Sequence, residues 1–394
     1  MALPLTYHWR NLFVRKTTTV LTVLVITSVV SVFAYMLGFS ESLQHSLSVA
    51  RDPNKLIVLK SGATAESNSA IPVDEYNKLS QVTNVARDEA TGQVLVSPEI
   101  MVQVSLPRLR DGGRTNANVA VRGVTLDAFR IHPNIRPLGR IFSTAEREVI
   151  VGLAAAQQFA GLQIGETINL GYGADRAYMV VGHFSADGGP MESEIWGYLP
   201  SLMNSYNRTM YSSANLRLAD GSDARQIIGQ IEGPAIQLAA QTEEEYWESQ
   251  SRLMKVYLFV AYLLVAIMSL AAVFAIANTM FSVVAGRSRE LAMLRTIGFS
   301  SAQILLGLVI EAVMLALVGG MLGCVACWAW LQAVGNTKDM FGATTFTTMA
   351  FKIQMTPLLI AKALGLVVVV GVIGALVPAL RAARMQVVTA LREP

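Results

Sequence analysis

Two cysteines set as C-x-x-C, Cys324 and Cys327, are the first residues in this sequence whose type and spacing could do chemistry. Such a pair serves thiol exchange or a metal when further ligands stand close by. Here it lies in an apolar stretch with no neighbouring His or acid, so packing is the expected role. His45, His132 and His183 fall in the polar middle of the chain, and none stands at metal-ligand spacing from another His or a Cys. Asp127 and Asp187 read as loop and turn residues. No G-x-S-x-G nucleophile setting and no G-x-x-x-x-G-K-S/T phosphate loop occurs. The expected catalytic and metal-ligating sets are therefore empty. What remains is charge in unusual places. "RSRELAMLRTIGFS", from Arg287 to Ser300, carries three arginines and a glutamate between two apolar runs, and Glu311 stands alone inside the second of them.

The elements around these residues follow from composition. Of 394 residues, 53% are hydrophobic and only 15% charged, with a mean hydropathy of +0.44. Soluble domains of this size rarely reach such values. The charges are also absent from four stretches in particular. Thr17 to Phe39 and Val256 to Ala285 have none, Ile304 to Gln332 has Glu311, and Leu358 to Leu380 has Lys362. Each exceeds the roughly 20 residues a helix needs to cross a bilayer, and in lipid only a helix satisfies its own backbone at that length. The reading is an α-helical membrane protein with four spans, at 17–39, 253–285, 301–332 and 356–380. An α+β domain over 40–252 is inserted between the first two, and a short outer loop covers 333–355.

Arg10, Arg15 and Lys16, then Arg287, Arg289 and Arg295, then Arg381, Arg384 and Arg392 all fall on one side of such a layout. That side is expected to be cytoplasmic, with both termini there and the inserted domain outside. The pI near 8.8 reflects this topology and does not call for nucleic acid. The first apolar run is too long for a cleaved signal and has no small-residue cleavage site soon after, so it reads as an anchor. Before it, residues 1–16 mix Leu5, Trp9, Leu12 and Phe13 with basic residues, as an interfacial amphipathic helix would.

In the inserted domain, "KLIVLK", "EIMVQVSLPRL", "NANVAVRGV", "EVIVG", "ETINLGY", "AYMVVGHF", "SEIWGYLP" and "SSANLRLA" read as strands. "PVDEYNKLSQ", "LAAAQQFAG" and "SDARQIIGQIEG" read as helices, the last with a Ser or Asp cap and a terminal Gly. The first span is expected to continue as helix through "GFSESLQHSLSVA", and helix from Glu243 to run into the second span, which together would form a stalk. Within the third span, Gly319 and Gly323 form a small-xxx-small pair that favours close helix packing, and Lys362 in the fourth is placed to snorkel.

With this layout in view, "SRELAMLRTIGFSSAQI" closely resembles the loop after the second span of the MacB/FtsX/LolC-like ABC transporter permeases. "WRNLFVRKTTTVLTVLVI" is similar to the family's entry into the first span. "VTLDAFRIHPNIRPLGRIF" resembles part of its periplasmic core domain, and "VPALRAARMQVVTALRE" its C-terminal signature. The resemblance implies a mechanotransmission permease in the bacterial inner membrane, working as a homodimer or as a heterodimer with a paralogue. It implies an ABC ATPase as partner, here a separate polypeptide because only about 16 residues precede the first span. ATP is bound by that partner, and the chain itself needs no cofactor. In MacB-like relatives a membrane-fusion adaptor and an outer-membrane channel join the assembly.

The resemblance also makes 286–300 the coupling helix, with Arg287, Arg289, Glu290, Leu291, Leu294, Arg295 and Gly298 as its ATPase-coupling residues and Glu311 as the intramembrane polar residue. On spacing alone, Leu291, Leu294 and Ile297 share one helical face and Arg295 looks elsewhere. The implied work is export or extraction of a lipophilic cargo: lipid, lipoprotein, drug or peptide. An FtsX-like regulator, which switches a cell-wall hydrolase without moving cargo, is the alternative. A receptor without an ATPase would need a cytoplasmic signalling domain, and the sequence has none.

Overall fold

The computed structural model describes residues 16–49, 52–89, 91–109, 112–171, 176–250, 252–334, 353 and 355–384. The expected interfacial helix at 1–16, most of the outer loop at 333–355 and the tail beyond 384 lie outside the described residues. The chain divides into two units, one of long helices and one built on a sheet.

Four helices are long and apolar enough to cross a membrane. They are α1 (Lys16–Val49), α8 (Arg252–Ala285), α10 (Ser301–Val334) and α11 (Pro357–Ala383). α1 runs unbroken well beyond the span expected at 17–39. A short helix, α7 (Glu243–Gln250), precedes α8, and the single residue between them lies outside the described set.

Small residues decide how these helices meet, because apolar side chains gain little by leaving lipid for each other. A β-carbon added at Gly323 of α10 would lie 2.7 Å from Val30 Cβ and 2.9 Å from Thr27 O of α1. Ser31 Oγ donates to Gly323 O at 2.9 Å and Thr27 Oγ1 to Gly319 O at 3.2 Å, so the same contact is also hydrogen-bonded. Gly371 of α11 packs on Ala316 of α10, and Gly374 on Ile276 of α8. The hydroxyls of Thr22 and Thr279 join α1 to α8 at 2.5 Å. Lys362 does not simply reach outward: its ammonium donates to Glu41 of α1 at 2.6 Å. Thr356 caps α11 by accepting from Leu359 N, next to Pro357 at the first helical position.

The other unit carries a ten-stranded sheet among the described residues, in the order β10-β1-β9-β2-β3-β8-β5-β7-β4, with β6 also on β7. The strands are β1 (Lys55–Lys60), β2 (Val96–Pro107), β3 (Asn116–Val124), β4 (Arg136–Gly139), β5 (Glu148–Gly152), β6 (Thr167–Asn169), β7 (Ala177–Ser185), β8 (Glu194–Tyr198), β9 (Ser213–Arg217) and β10 (Leu238–Thr242). The pairs β3–β8 and β5–β7 are parallel and the remainder antiparallel.

β1 shows why its sequence lacks a polar face. Leu56 and Val58 enter a core with Leu79, Val82, Ile227 and Ile231. Ile57 and Leu59 enter another with Tyr246 and Trp247 of α7. A strand covered on both sides reads as a continuous apolar run. α6 (Ala224–Glu232) supplies Ile227 and Ile231 from one face, and its N-cap Asp223 accepts from Arg225 N.

Two helices differ from the sequence reading. "LAAAQQFAG" is helical only at α4 (Leu153–Ala156): Gln158 N tightens to Ala155 O, and the chain then leaves to pair with the end of β2, where Ala160 N donates to Pro107 O and Gln158 O accepts from Leu109 N. The "LP" ending "SEIWGYLP" opens α5 (Leu199–Ser205), with Pro200 in its first turn, where no amide is missed. The remaining short helices are α2 (Val73–Lys78), α3 (Ala128–Ile131) and, in the helical unit, α9 (Ser288–Thr296).

Gly323→Leu should lower the thermal unfolding midpoint of the detergent-solubilised chain by the equivalent of about 1–3 kcal/mol, since overpacking a tight contact has that cost. Gly365→Ala, where an added β-carbon meets nothing within 4 Å, should leave the midpoint unchanged. Equal midpoints for both variants would refute the α1–α10 packing described.

Candidate functional site

The charged segment after α8 folds as a short helix with defined ends. Arg287 occupies the N-cap of α9, and Gly298 ends it with φ +105. Gly298 N donates to Arg295 O and Phe299 N to Leu294 O, each at 3.1 Å. This is the Schellman stop that favours glycine. Ser300 and Gln303 then cap α10 reciprocally: Ser300 N donates to Gln303 Oε1 at 2.8 Å and Gln303 N to Ser300 Oγ at 3.3 Å.

The two faces of α9 differ from the simple spacing argument. Ala292 is buried and Leu291 and Leu294 are half-buried, whereas Arg289, Glu290, Met293, Thr296 and Ile297 are exposed. Ile297, expected beside Leu291 and Leu294, is 76% exposed because it lies past the last helical turn. Arg295 is turned inward, where Nη1 donates to Ala383 O at the end of α11 at 2.8 Å. Arg287 also points inward. Its Nη1 lies 3.3 Å from Glu311 Oε2 on α10, and its Nε 3.2 Å from Glu290 Oε2. Of the seven residues read from the sequence as coupling residues, Arg289 and Glu290 therefore face outward with Gly298. Met293 joins them, which sequence reasoning missed; its position three residues after Glu290 was the available signal.

The sheet unit holds a second charged constellation, also missed. Arg122, on β3 with 0% exposure, is surrounded by three carboxylates. Nε and Nη2 donate to the two oxygens of Glu194 at 2.7 and 2.8 Å. Nη1 and Nη2 donate to those of Glu66 at 2.7 and 2.8 Å, and Nη1 also donates to Glu99 at 2.7 Å. Trp196 Nε1 donates to Glu194, and Ser213 Oγ to Glu66.

From Glu99 the network continues. Its Oε1 lies 3.1 Å from His132 Nε2, His132 Nδ1 lies 2.5 Å from Lys55 Nζ, and Lys55 donates to Glu243 of α7 at 2.7 Å. An ammonium only donates, so Nδ1 accepts, Nε2 carries the proton, and His132 is neutral. Burial pushes the His132 pKa down and Lys55 pushes it further, against the pull of Glu99. Burial alone would raise the Glu99 carboxyl, but the hydrogen bond from His132 and the charges of Arg122 and Lys55 outweigh it and hold the carboxyl below the usual carboxylate range.

The arrangement can fasten elements together, but it is closed to substrate: every member is buried. It joins strands β1, β2, β3 and β8 to three covering pieces, the 3-10 turn at Glu66, the end of α3 at His132, and α7 at Glu243. Among the described residues no group of three or more His, Cys, Asp or Glu is placed to hold a metal. Cys324 and Cys327 are free thiols buried in α10.

Four membrane-length helices, with a sheet domain inserted in the chain between the first and second, define a multi-span membrane protein with an inserted domain. A family profile described as MacB-like periplasmic core domain matches residues 17–233, more than half of the chain, and one described as FtsX-like permease C-terminal matches 262–387. The chain belongs to the MacB/FtsX-like family of ABC-type permeases. Similar solved structures include the periplasmic region of MacB from Actinobacillus actinomycetemcomitans, at 12% identity and TM-score 0.36, covering 52% of this chain and 95% of that one. Another is the extracellular domain of the noncanonic ABC-type transporter YknZ from Gram-positive bacteria, at 12% identity and TM-score 0.35, covering 48% of this chain and 100% of that one. No curated protein matches the chain.

Arg122→Met should destabilise the sheet unit by about 3–5 kcal/mol, because it leaves three buried carboxylates without their shared cation. Arg130→Met, which removes an ion pair to Asp88 from an arginine 53% exposed, should cost under about 1 kcal/mol. Urea unfolding followed by tryptophan fluorescence measures both, and similar midpoints would contradict the network's role.

The same assay gives a pH profile. His132 and Glu99 both have folded pKa values below their ordinary ones, so the unfolded chain takes up their protons first. Stability should be full above the ordinary His value of about 6.5. It should fall as pH drops through that value, then again below about 4 as unfolded carboxylates protonate. His132→Asn should remove the first step, and a profile in that variant identical to the parent's would count against the assignment.

Proposed function

We propose that the chain is the permease subunit of an ABC transporter that couples ATP hydrolysis by a separate ATPase to conformational work outside the cytoplasm, exporting or extracting a lipophilic cargo. The observation that carries this is α9: a capped helix between two membrane spans, fastened on one face and presenting Arg289, Glu290, Met293 and Ile297 on the other. Exposed apolar side chains beside charges, on an element with defined ends, suit a protein contact. Arg287, Arg289, Arg295, Arg381 and Arg384 gather at this end of the helices, which supports a cytoplasmic position for α9 and an outer position for the sheet domain. The matches to a MacB-like core over 17–233 and an FtsX-like permease C-terminal region over 262–387 support a permease of this family, for which regulation of a cell-wall hydrolase is the alternative work.

The permease is proposed to act as a homodimer or as a heterodimer with a paralogue. α8 directs Phe259, Leu263, Ile267, Leu270 and Phe274 outward in one stripe, a face suited to lipid or to a second copy. A membrane-fusion adaptor and an outer-membrane channel are further partners on this reading, and ATP is bound by the ATPase alone.

The test is co-purification of the tagged permease with ABC ATPase subunits of the same genome, co-expressed with it one at a time. Glu290→Arg and Met293→Asp should each reduce captured ATPase at least tenfold, since a reversed charge or a buried carboxylate at a docked face costs several kcal/mol. The permease alone should turn over no ATP. Full capture by both variants would refute α9 as the ATPase contact.

A further inference from the structure

We propose that Glu311 and Arg287 are positioning residues that clamp α9 to α10, so that a force on α9 passes directly into the α10–α11 pair. The inference rests on the reading of α9 as the ATPase contact. Glu311 stands ten residues into α10, about 15 Å along its axis, and is 3% exposed. It is the single charge of the run from Ile304 to Gln332. A carboxylate at that depth is costly unless it has a cation to face. Arg287 supplies one from outside the span, with a side chain only 17% exposed and Nη1 at 3.4 and 3.3 Å from the two Glu311 oxygens. These distances exceed those of a tight charge-assisted bond. The strength of the clamp therefore lies in the cost of drawing the cation away from a buried carboxylate, more than in the length of the bond itself.

The same guanidinium holds Glu290 in the first turn of α9 through Nε, so one side chain bridges α9 and α10. A second tether acts at the other end. Arg295 Nη1 donates to Ala383 O, a carbonyl in the last turn of α11. α9 is thus tied at its start to α10 and at its end to α11. With both ties intact it has little freedom to swing away from either.

The clamp is tested first on the permease alone, in lipid nanodiscs, by hydrogen exchange of the amides of residues 288–297. Glu311→Gln and Arg287→Gln should each speed exchange in that segment about tenfold or more. The double exchange Arg287→Glu with Glu311→Arg should restore it to within about threefold of the parent, whereas either half of the exchange alone should not. Unchanged peptides from β1 and β5 show that the variants remain folded. Exchange in Glu311→Gln equal to the parent's, or a double exchange no better than its halves, overturns the clamp.

The second arm uses the permease with its ATPase, with and without a trapped ATP state. In the parent, trapping should change exchange in both α9 and α10. In Glu311→Gln, capture of the ATPase and the change that trapping produces in α9 should remain while the change in α10 is lost. A change in α10 that persists in Glu311→Gln overturns the transmission route. Failure of the parent to capture any ATPase overturns the reading of α9 instead, and the first arm still decides the clamp.

Discussion

Taking a guanidinium out of water costs several kcal/mol even after the surroundings relax, and the penalty is recovered only when partners of opposite charge fill its hydrogen-bonding fork. Arg122 is in that position at the middle of the sheet. Its five N–H groups are met from elements far apart in the chain: the turn at Glu66, the β2 residue Glu99 and the β8 residue Glu194. None of these can shift without exposing a charge to an apolar interior. The order of strands around β3 and the seating of the covering turn are thereby specified together. The continuation through His132 and Lys55 to Glu243 extends the same requirement to α7, whose Tyr246 and Trp247 pack on β1. Hydrophobic burial supplies most of the stability of such a unit, whereas the ionic layer restricts which packing is allowed.

The helical unit meets the same constraint in a different solvent. Lipid offers no hydrophobic gain for helix against helix, so association relies on close contact and on polar groups that lipid cannot satisfy. Glycines at 319, 323, 371 and 374 admit that contact, and the hydroxyls of Thr22, Thr27 and Ser31 use it to reach partners on neighbouring helices. Charges are kept to the ends or paired, as in Lys362 with Glu41 and Glu311 with Arg287. A bundle held by small residues and a few polar links resists distortion within itself and tolerates movement as a piece.

How much of this could be read in the sequence depended on whether the signal was local. The four spans were legible because length and the lack of charge are properties of a contiguous run. Strands β1, β3 and β5 were legible because β-branched residues cluster between turn formers. Gly319 and Gly323 were legible from their spacing alone. The ionic layer was not, because its members are spread from Lys55 to Glu243 and are brought together only by the strand order. Arg122 in "NANVAVRGV" was the one hint, a charge at a strand position whose neighbours are apolar. On α9, periodicity placed Ile297 with the inward leucines, but the helix ends at Thr296, and a 3.6-residue period says nothing beyond the last turn. The inward reach of Arg287 and Arg295 was hidden for a related reason. A long flexible stem lets the charged head turn toward a partner that the helical wheel does not contain.

The buried charges of the sheet unit share one feature. In the clusters described here, Arg122 and His132 have their donors and acceptors matched within the chain, and the carboxylates that surround them are held by hydrogen bonds from more than one element. On the function proposed above, that pattern suits parts that transmit displacement without deforming. A displacement is passed on by a body whose internal contacts cost more to break than the load supplies, and discrete, over-determined packing has that property. Buried charge pairs add to that packing, because separating one leaves a charge in the interior without its partner.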